Sequence, residues 1–438
     1  MSKRLLAGLL CCLLLAGCSR GPKTGQGFRF PLAGEPRTLD PQIASDPAAL
    51  TVIQSLFEGL VTLKEGEPVP AAARWELSSD GLRYTFTLFP GCWGDGTPLR
   101  ADDFLFAYQR TADPATGSPH RQALAGVAAV TAPGEDTLEI TLAAPDDRFL
   151  YTLAAGALYP CPRAFFAGCG GGYGMEPETL QGNGPFKLVQ WDHGKYLLLH
   201  KNGGYRNAAA VSPGAVRYVL GAAGLSDLKE GRVDGAQLSP AEGAAWPRRV
   251  TVEDTVTLLR FNLSREPLQD PAVREALRDG IEWERLDPLL PGVPTRSFLP
   301  PAAGIPSDLT APATRATPGL GLPALTLLCP EGEEWRQAAQ VILQSWQKNL
   351  GAYFRLEQLP ADTLAARLAA GEYQLAVAPF TPAPGSRETL ERQERELRES
   401  CAAVPLTVTP RIYGLSKDIT GVEVEPFTGR FIFLNAKR

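Results

Sequence analysis

Short strand-like segments interleaved with a few amphipathic helices are the feature that most constrains the fold of this 438-residue chain. From Phe28 onward, apolar or alternating runs are interrupted by Gly and Pro. Residues 83–89 (RYTFTLF) and 137–142 (TLEITL) alternate with the period of a half-buried strand. Residues 191–194 (WDHG), followed by an apolar run, indicate the turn of a hairpin. The pattern predicts an α/β or α+β fold.

Three helices are predicted from their ends and their apolar spacing. Asp270 can cap a helix whose first position is Pro271, a residue that needs no amide donor there. Residues 333–350 carry an apolar stripe that Gly351 would terminate. Residues 387–400 are heavily charged, which predicts a helix with one solvated face.

The amino terminus has the pattern of a secretion signal. Lys3 and Arg4 precede the apolar run 5–15, and small residues follow before Cys18. The run is shorter than the ~20 residues that a permanent membrane helix needs. We therefore expect residues 1–17 to be a lipoprotein signal peptide, Cys18 to be the lipidation site and residues 18–27 to be a tether. An uncleaved short anchor is the alternative.

Charge and length narrow the function classes. Loss of the two signal-peptide cations takes the net charge from −5 to −7, and such a balance gives no support to nucleic-acid binding. Hydrophobic residues make up 44% of the chain, and no second apolar stretch of spanning length follows the leader. The chain is long enough for two or three hydrophobic cores outside the membrane.

Cysteine and histidine usage argues against a metal site. Besides the leader, the chain has Cys92, Cys161, Cys169, Cys329 and Cys401. Outside the cytoplasm, a disulfide between Cys161 and Cys169 or between Cys329 and Cys401 is possible. The odd number of cysteines leaves at least one of them unpaired. No CxxC or HxxxH spacing occurs, and no GxSxG or HExxH motif supports an enzyme. We predict no metal, no cofactor and no catalytic residue.

Several segments, in order, match motifs of one family. They are residues 35–41 (EPRTLDP), 56–60 (LFEGL), 93–104 (WGDGTPLRADDF), 182–188 (GNGPFKL), 201–205 (KNGGY) and parts of 261–277. One such motif is a weak signal, but this many in order behind a lipoprotein leader are specific. The chain resembles the oligopeptide-binding (family 5) extracytoplasmic solute-binding proteins of ABC importers.

The resemblance implies an α/β fold built as a three-lobed, periplasmic-binding-protein-like clamp (type II, cluster C) with mixed sheets. The expected lobes are residues 28–60, 179–254 and 421–438 for lobe I, 61–178 for lobe II, and 255–420 for a shortened lobe III. Lobes I and III would close over the solute. The protein would act as a monomer.

The resemblance also implies which residues line the ligand site. They are Glu35, Ser45, Asp46, His120, Leu258, Arg260 and Phe380. His120 replaces a cavity-facing tyrosine of the family, with an ordinary loop histidine as the alternative. Asp46 is either a partner for a peptide amine or the cap of a helix that begins at Pro47.

Lobe III departs from the family pattern after residues 373–377 (YQLAV). The family continues there with a tryptophan and an aspartate that binds the amino terminus of the peptide. Here Phe380 takes the position of the tryptophan, and residues 378–385 (APFTPAPG) contain no carboxylate. A lost charge-assisted hydrogen bond is worth roughly 1.5–3 kcal/mol, so peptide specificity is in question.

The predicted function is therefore capture of oligopeptides by domain closure and their delivery, chemically unchanged, to an ABC transporter permease. The protein would work outside the cytoplasm, held on the bacterial cell membrane by its lipid. Two alternatives stay open. In the first alternative, the protein is a surface receptor that kept the fold and lost transport. In the second, it binds a non-peptide small solute.

Overall fold

The computed structural model describes residues 27–64, 66–305, 309–382, 385–424 and 431–438. The predicted signal peptide and Cys18 lie outside the described residues. The strands are β1 Phe28–Leu32, β2 Val61–Lys64, β3 Glu67–Pro70, β4 Ala73–Leu77, β5 Arg83–Leu88, β6 Val127–Thr131, β7 Thr137–Leu142, β8 Phe186–Asp192, β9 Tyr196–Lys201, β10 Ala215–Leu220, β11 Gly235–Leu238, β12 Arg249–Val252, β13 Val256–Phe261, β14 Val293–Pro294, β15 Thr326–Pro330, β16 Arg355–Leu359, β17 Leu375–Phe380, β18 Ala403–Val408, β19 Arg411–Leu415, β20 Glu423–Val424 and β21 Phe431–Ile432.

The helices alternate with these strands along the chain. They are α1 Pro47–Leu56, α2 Ala101–Ala112, α3 Phe149–Thr152, α4 Arg163–Gly168, α5 Leu225–Lys229, α6 Pro240–Ala245, α7 Pro271–Asp279, α8 Trp283–Leu286, α9 Glu333–Leu350, α10 Ala361–Ala369 and α11 Arg387–Ser400. None of the described helices is long and apolar enough to cross a membrane.

The larger sheets are mixed or antiparallel. One has the order β1-β10-β9-β8, with β1 parallel to β10, and a second has the antiparallel order β4-β5-β7-β6. A third has the order β14-β18-β13-β17-β15-β16, with β15 parallel to both of its neighbours. A small antiparallel sheet has the order β11-β19-β12. The two strands and the hairpin predicted from alternation are confirmed.

Three large hydrophobic clusters lie beneath these sheets. The first draws mainly on residues 28–57, 186–218 and 415–436, the second on residues 60–173 and the third on residues 259–406. The clusters follow the predicted lobes only in their main residue ranges, since the first also includes Trp93, Tyr159, Leu415 and Ile419; the division into lobes stays a prediction. One strand crosses the predicted division, because β19 pairs with β11 and β12 of lobe I although it was assigned to lobe III.

Local sequence signals explain the predicted helix ends. The Asp270 carboxylate accepts a hydrogen bond from the backbone amide of Ala272, and Pro271 opens α7. Gly351 ends α9 with a left-handed φ of 67°, a conformation that costs glycine little. The helix predicted at 387–400 is α11, capped by the Ser386 side chain.

A close backbone contact explains the two glycines of residues 182–184. A Cβ added to Gly182 would lie 2.2 Å from the carbonyl oxygen of Leu56 at the end of α1, and one on Gly184 would lie 2.6 Å from the Leu56 carbonyl carbon. Only glycine permits this approach. The motif therefore packs the entry to β8 onto α1.

All five cysteines of the folded part are free thiols. Neither possible pairing, between Cys161 and Cys169 or between Cys329 and Cys401, is present. Cys161 instead lies beside the guanidinium of Arg110, at 3.4 Å from Nη1. Burial raises the pKa of Cys161 to about 12, so this thiol stays protonated and unreactive at neutral pH.

Candidate functional site

Two short crossings connect lobe I with lobe III. Residues 253–255 join β12 to β13, and residues 409–410 join β18 to β19. They run side by side in opposite directions, because β12 pairs with β19 at one end of the crossings and β13 pairs with β18 at the other. The buried carboxylate of Asp254 accepts a hydrogen bond from the guanidinium of Arg411 across the two crossings. Short paired connections of this kind form a hinge.

The loop after β1 is held against lobe II by a buried ion pair. Nη2 of Arg110, on α2, donates to Oδ2 of Asp40 at 2.5 Å, and Nη1 donates to Oδ1 at 3.1 Å. Nη1 also donates to the Gln42 side chain at 2.7 Å. The guanidinium lies 4.0 Å from the centre of the Phe166 ring. Asp40, from the EPRTLDP motif, therefore joins lobes I and II and is unavailable to a ligand.

Glu58 of the LFEGL motif has a similar structural role. Nε and Nη2 of Arg206 donate to its two carboxylate oxygens at 2.8 and 3.0 Å, and the Tyr205 hydroxyl donates to Oε1 at 2.7 Å. The Asn183 side chain donates to the Glu58 carbonyl at 2.8 Å. Residues of three separate motifs thus meet at Glu58, two at its carboxylate side and one at its backbone carbonyl. These contacts hold the three segments together.

Glu35, a predicted ligand residue, is engaged with neighbouring side chains. Its carboxylate accepts hydrogen bonds from Nε1 of Trp191 at 3.0 Å, Nδ1 of His193 at 2.7 Å and the amide of Gly194 at 3.2 Å. Burial alone would raise the pKa of Glu35, but these hydrogen bonds outweigh it and hold the pKa below its usual value. Nε2 of His193 lies 3.2 Å from Glu176, so the histidine bridges two carboxylates.

Asp46 and Ser45 lie at the start of α1. Oδ1 of Asp46 accepts a hydrogen bond from the amide of Ala49 at 2.8 Å, which is the capping arrangement considered as an alternative. Ser45 is exposed. Beside them, Nε2 of His120 lies 3.1 Å from the carbonyl oxygen of Ala44. The loop before α1 and His120 are therefore in contact, and their part in ligand binding stays a prediction.

A cavity of about 550 Å³ lies beside His120, within the range of small-molecule sites. The polar residues that line it are His120, Gln122, Asp146, Arg148 and Thr152, and the rest of its lining is Ala and Gly. Burial lowers the pKa of His120 below its usual value, although the hydrogen bond with Ala44 opposes this. His120 is therefore neutral at pH 7, and the small neighbouring residues leave room for a solute.

Lobe III contacts the rim of this cavity. Asp147, between two cavity-lining residues, accepts hydrogen bonds from the Thr389 hydroxyl and from Nη2 of Arg392, each at 3.0 Å. Burial would raise the pKa of Asp147, but the Arg392 and Thr389 hydrogen bonds lower it. Both partners lie on α11. His120 also contacts Ala44 of lobe I, so the cavity is lined by lobe II and its neighbouring residues contact both other lobes.

The predicted lobe III residues lie on one face of the six-stranded sheet. Leu258 and Arg260 are two residues apart on β13, and Phe380 of β17 is opposite Val256 of the same strand. Leu258 is buried and Phe380 packs against the same small cluster, together with Phe298. Among the described residues, Arg260 forms no ion pair and is half-buried.

Helix α11 covers part of that face. Oε2 of Glu394 accepts hydrogen bonds from the amides of Phe298 and Leu299 at 2.9 and 3.0 Å and from the Ser297 hydroxyl at 3.0 Å. The sequence predicts α11 but not these contacts or the Asp147 contact. A charged helix offers many equivalent carboxylates and guanidiniums, and only the fold decides which of them meets a distant amide.

The fold and site together define a class: an α/β clamp with paired crossings between its parts and a small polar cavity, the arrangement of a solute-binding protein. Residues 66–390 match the model of the bacterial extracellular solute-binding proteins, family 5. The chain belongs to this family, as the sequence motifs indicate.

Curated relatives of known name are similar over much of the chain. The "Probable deoxycholate-binding periplasmic protein YgiS" of Escherichia coli is 34% identical over 63% of this chain, which spans 57% of that relative's length. The "Periplasmic murein peptide-binding protein MppA" of Escherichia coli is 30% identical over 74% of this chain and 69% of its own length. The "Dipeptide-binding protein DppE" of Bacillus subtilis is 26% identical over 80% of this chain and 73% of its own.

Solved structures share the fold. The unliganded open form of MppA superposes with a TM-score of 0.73 at 23% identity, over 94% of this chain and 97% of that one. Listeria monocytogenes OppA bound to peptide gives a TM-score of 0.70 at 18% identity, over 93% and 98%. The predicted fold class, an α/β clamp of the periplasmic-binding-protein type with mixed sheets, is confirmed.

Proposed function

We propose that this protein captures a short peptide in the cavity beside His120 by rotation at the 253–255 and 409–410 hinge. It then delivers the peptide, chemically unchanged, to an ABC transporter permease. The observation that carries the proposal is the position of the cavity, which is lined by lobe II, bordered by lobe I through Ala44 and contacted at its rim by α11. A site at such a junction is formed or opened by the same rotation.

Relatives named for peptide binding support the peptide assignment. DppE and MppA carry dipeptide and murein peptide in their names. The cavity supports it as well, because a neutral histidine and a neutralised Asp146–Arg148 pair suit an uncharged main chain.

The predicted ligand residues divide into two groups in this proposal. His120 of lobe II and Ser45 of lobe I contact the solute from one side, and Leu258, Arg260 and Phe380 form the facing surface of lobe III. Arg260 has no ion-pair partner among the described residues, so it offers a cation to a peptide carboxylate. Glu35 and Asp46 act indirectly, since their carboxylates already hold the loop that precedes α1.

A thermal-shift titration with alanine peptides of two to five residues tests the proposal. A ligand at about 100 times its Kd stabilises the native state by about 2.7 kcal/mol, which is a rise of several degrees in Tm. The matched control is free alanine at the same concentration. Absence of any shift with all four peptides would remove the peptide assignment.

A non-peptide solute is the second candidate, and two observations favour it. Residues 378–382 carry no carboxylate to bind a peptide amine, and the relative at 34% identity is named for deoxycholate. Sodium deoxycholate below its micellar concentration, in the same assay, distinguishes the candidates. A receptor that has lost solute binding would respond to none of these compounds.

We further propose that Cys18 carries the membrane anchor and that residues 1–17 are removed. Mass spectrometry of the protein from membranes should give a chain that begins at Cys18 with added acyl mass. Cys18→Ala should move the protein into the soluble extracytoplasmic fraction, with Cys92→Ala as a control that stays on the membrane. A soluble wild-type protein with an intact leader would contradict the anchor.

A further inference from the structure

The hydrogen bond between His120 and Ala44 determines which ring nitrogen carries the proton. Nε2 lies 3.1 Å from the Ala44 carbonyl oxygen. A carbonyl oxygen only accepts hydrogen bonds, so Nε2 must be the protonated nitrogen and donate. In the neutral ring, Nδ1 is then an acceptor with a free lone pair.

Nδ1 of His120 has no partner among the described residues, and it is not sealed from solvent. His120 lines the cavity of about 550 Å³ together with Asp146 and Arg148. The charges of Asp146 and Arg148 offset each other, because Nε of Arg148 lies 3.7 Å from Oδ1 of Asp146. The backbone amide of Arg148 also donates a hydrogen bond to the same oxygen at 2.9 Å. The cavity therefore presents a neutral acceptor beside a balanced pair of charges.

We propose that Nδ1 of His120 accepts a hydrogen bond from the solute and that the site selects solutes with an N–H or O–H donor at this position. This inference rests on the proposed function and names the chemistry that the solute must offer there. A carboxylate at the same position would place acceptor against acceptor and leave both without a proton to share. An amide, an amine or a hydroxyl of the solute would donate a hydrogen bond to the Nδ1 lone pair.

Nitrogen-15 spectroscopy of the histidine rings tests the assignment in the full protein without a ligand. The three histidines are assigned with the His193→Gln and His200→Phe variants. His120 should show a protonated Nε2 and an unprotonated Nδ1 at pH 7. A protonated Nδ1 would overturn the inference whatever the solute proves to be.

Binding of trialanine tests the contact itself. His120→Phe should weaken binding about tenfold, the effect expected of one hydrogen bond in a partly buried site. His120→Gln should stay within about threefold of wild type, because its amide can donate to Ala44 while its oxygen accepts from the solute. His200→Phe, at an exposed strand position, is the matched control and should bind as wild type does.

Three cases keep the test of this inference separate from the test of the proposed function. If trialanine binds wild type and His120→Phe equally, the acceptor role is wrong while peptide capture stands. If His120→Phe does not fold, trialanine methylated on both amide nitrogens replaces it and should bind wild type about tenfold more weakly than trialanine. If no peptide gives a thermal shift, peptide capture fails and the ring protonation still decides the acceptor role.

Discussion

Asp40, Glu58 and Trp93 belong to different motifs of the sequence; the first two bond side chains outside their own motifs, and Trp93 bonds one within its own. Asp40 binds Arg110, Glu58 binds Arg206, and Nε1 of Trp93 donates to Asp103 at 3.0 Å. In this chain, residues of these motifs form contacts that fix the fold. They leave the solute undetermined, because they lie outside the cavity.

Asp40→Asn tests the buried pair between lobes I and II. Both side chains are nearly inaccessible, at 10% for Arg110 and 3% for Asp40, and loss of one charge leaves the other buried without compensation. We expect a loss of about 3 kcal/mol in the free energy of unfolding, measured in urea. Asp418→Asn, on the surface, should leave the unfolding midpoint unchanged. Equal midpoints for both variants would contradict the structural role of Asp40.

His193→Gln tests the bridge between Glu35 and Glu176. Hydrogen bonds that His193 donates to these carboxylates raise its pKa above 6.5, while the pKa of Glu35 falls below 4.5. The contribution of the protonated histidine is complete below pH 6.5 and is lost as pH rises through the raised pKa. The contribution of Glu35 is present above pH 4.5 and is lost as pH falls through the lowered pKa.

The difference in Tm between wild type and His193→Gln should therefore be greatest between about pH 4.5 and 6.5 and should shrink as the pH rises through the raised pKa of His193. His200→Gln, on an exposed strand position, serves as the control and should follow the wild-type pH profile. A constant difference across this range would mean that the bridge does not depend on protonation.

At the scale of elements, α7, α9 and β5 were predicted from sequence because their signals are local. Asp270, Gly351 and the alternation at 83–88 act within a few residues of where they stand. The sequence does not predict that β19 pairs with β11 and β12, because these strands lie more than a hundred residues earlier. The five residues of β19 contain no signal that specifies such distant partners. The contacts of α11 with Phe298 and Asp147 escape prediction for the same reason.

Glu394→Ala tests how α11 is fastened to lobe III. The Glu394 carboxylate accepts from the amides of Phe298 and Leu299, and its removal leaves one or both without a partner. We expect a loss of about 1–3 kcal/mol, measured by urea unfolding. Glu391→Ala, which removes only an exposed pair with Arg387, should cost less than about 0.5 kcal/mol. Similar losses for both variants would contradict the fastening role.

At the scale of the whole molecule, the contact between lobes II and III beside the cavity bears on how open the arrangement of the lobes is. Asp147→Asn weakens the contact with Arg392, an exposed pair worth at most about 1 kcal/mol. Its effect on global unfolding should be small. Because the contact exists only when the lobes are close, the variant should favour a more open arrangement and a larger radius of gyration in small-angle X-ray scattering.

The control for Asp147→Asn is Glu391→Gln, on the same helix but outside the contact. This control should scatter as wild type does. High salt should move wild type toward the Asp147→Asn profile, since an exposed ion pair is screened. A radius of gyration unaffected by either change would show that the contact does not hold the lobes together.

The pairing of β19 with β11 and β12 also bears on biosynthesis. A ribosome releases the chain from its amino end, yet the small sheet of lobe I lacks its central strand until residues 411–415 emerge. The edges of β11 and β12 stay open while all of lobe III is being made, and open edges invite association with other chains. Until β19 is made, the unfinished chain is therefore more prone to associate with its neighbours than the finished protein is.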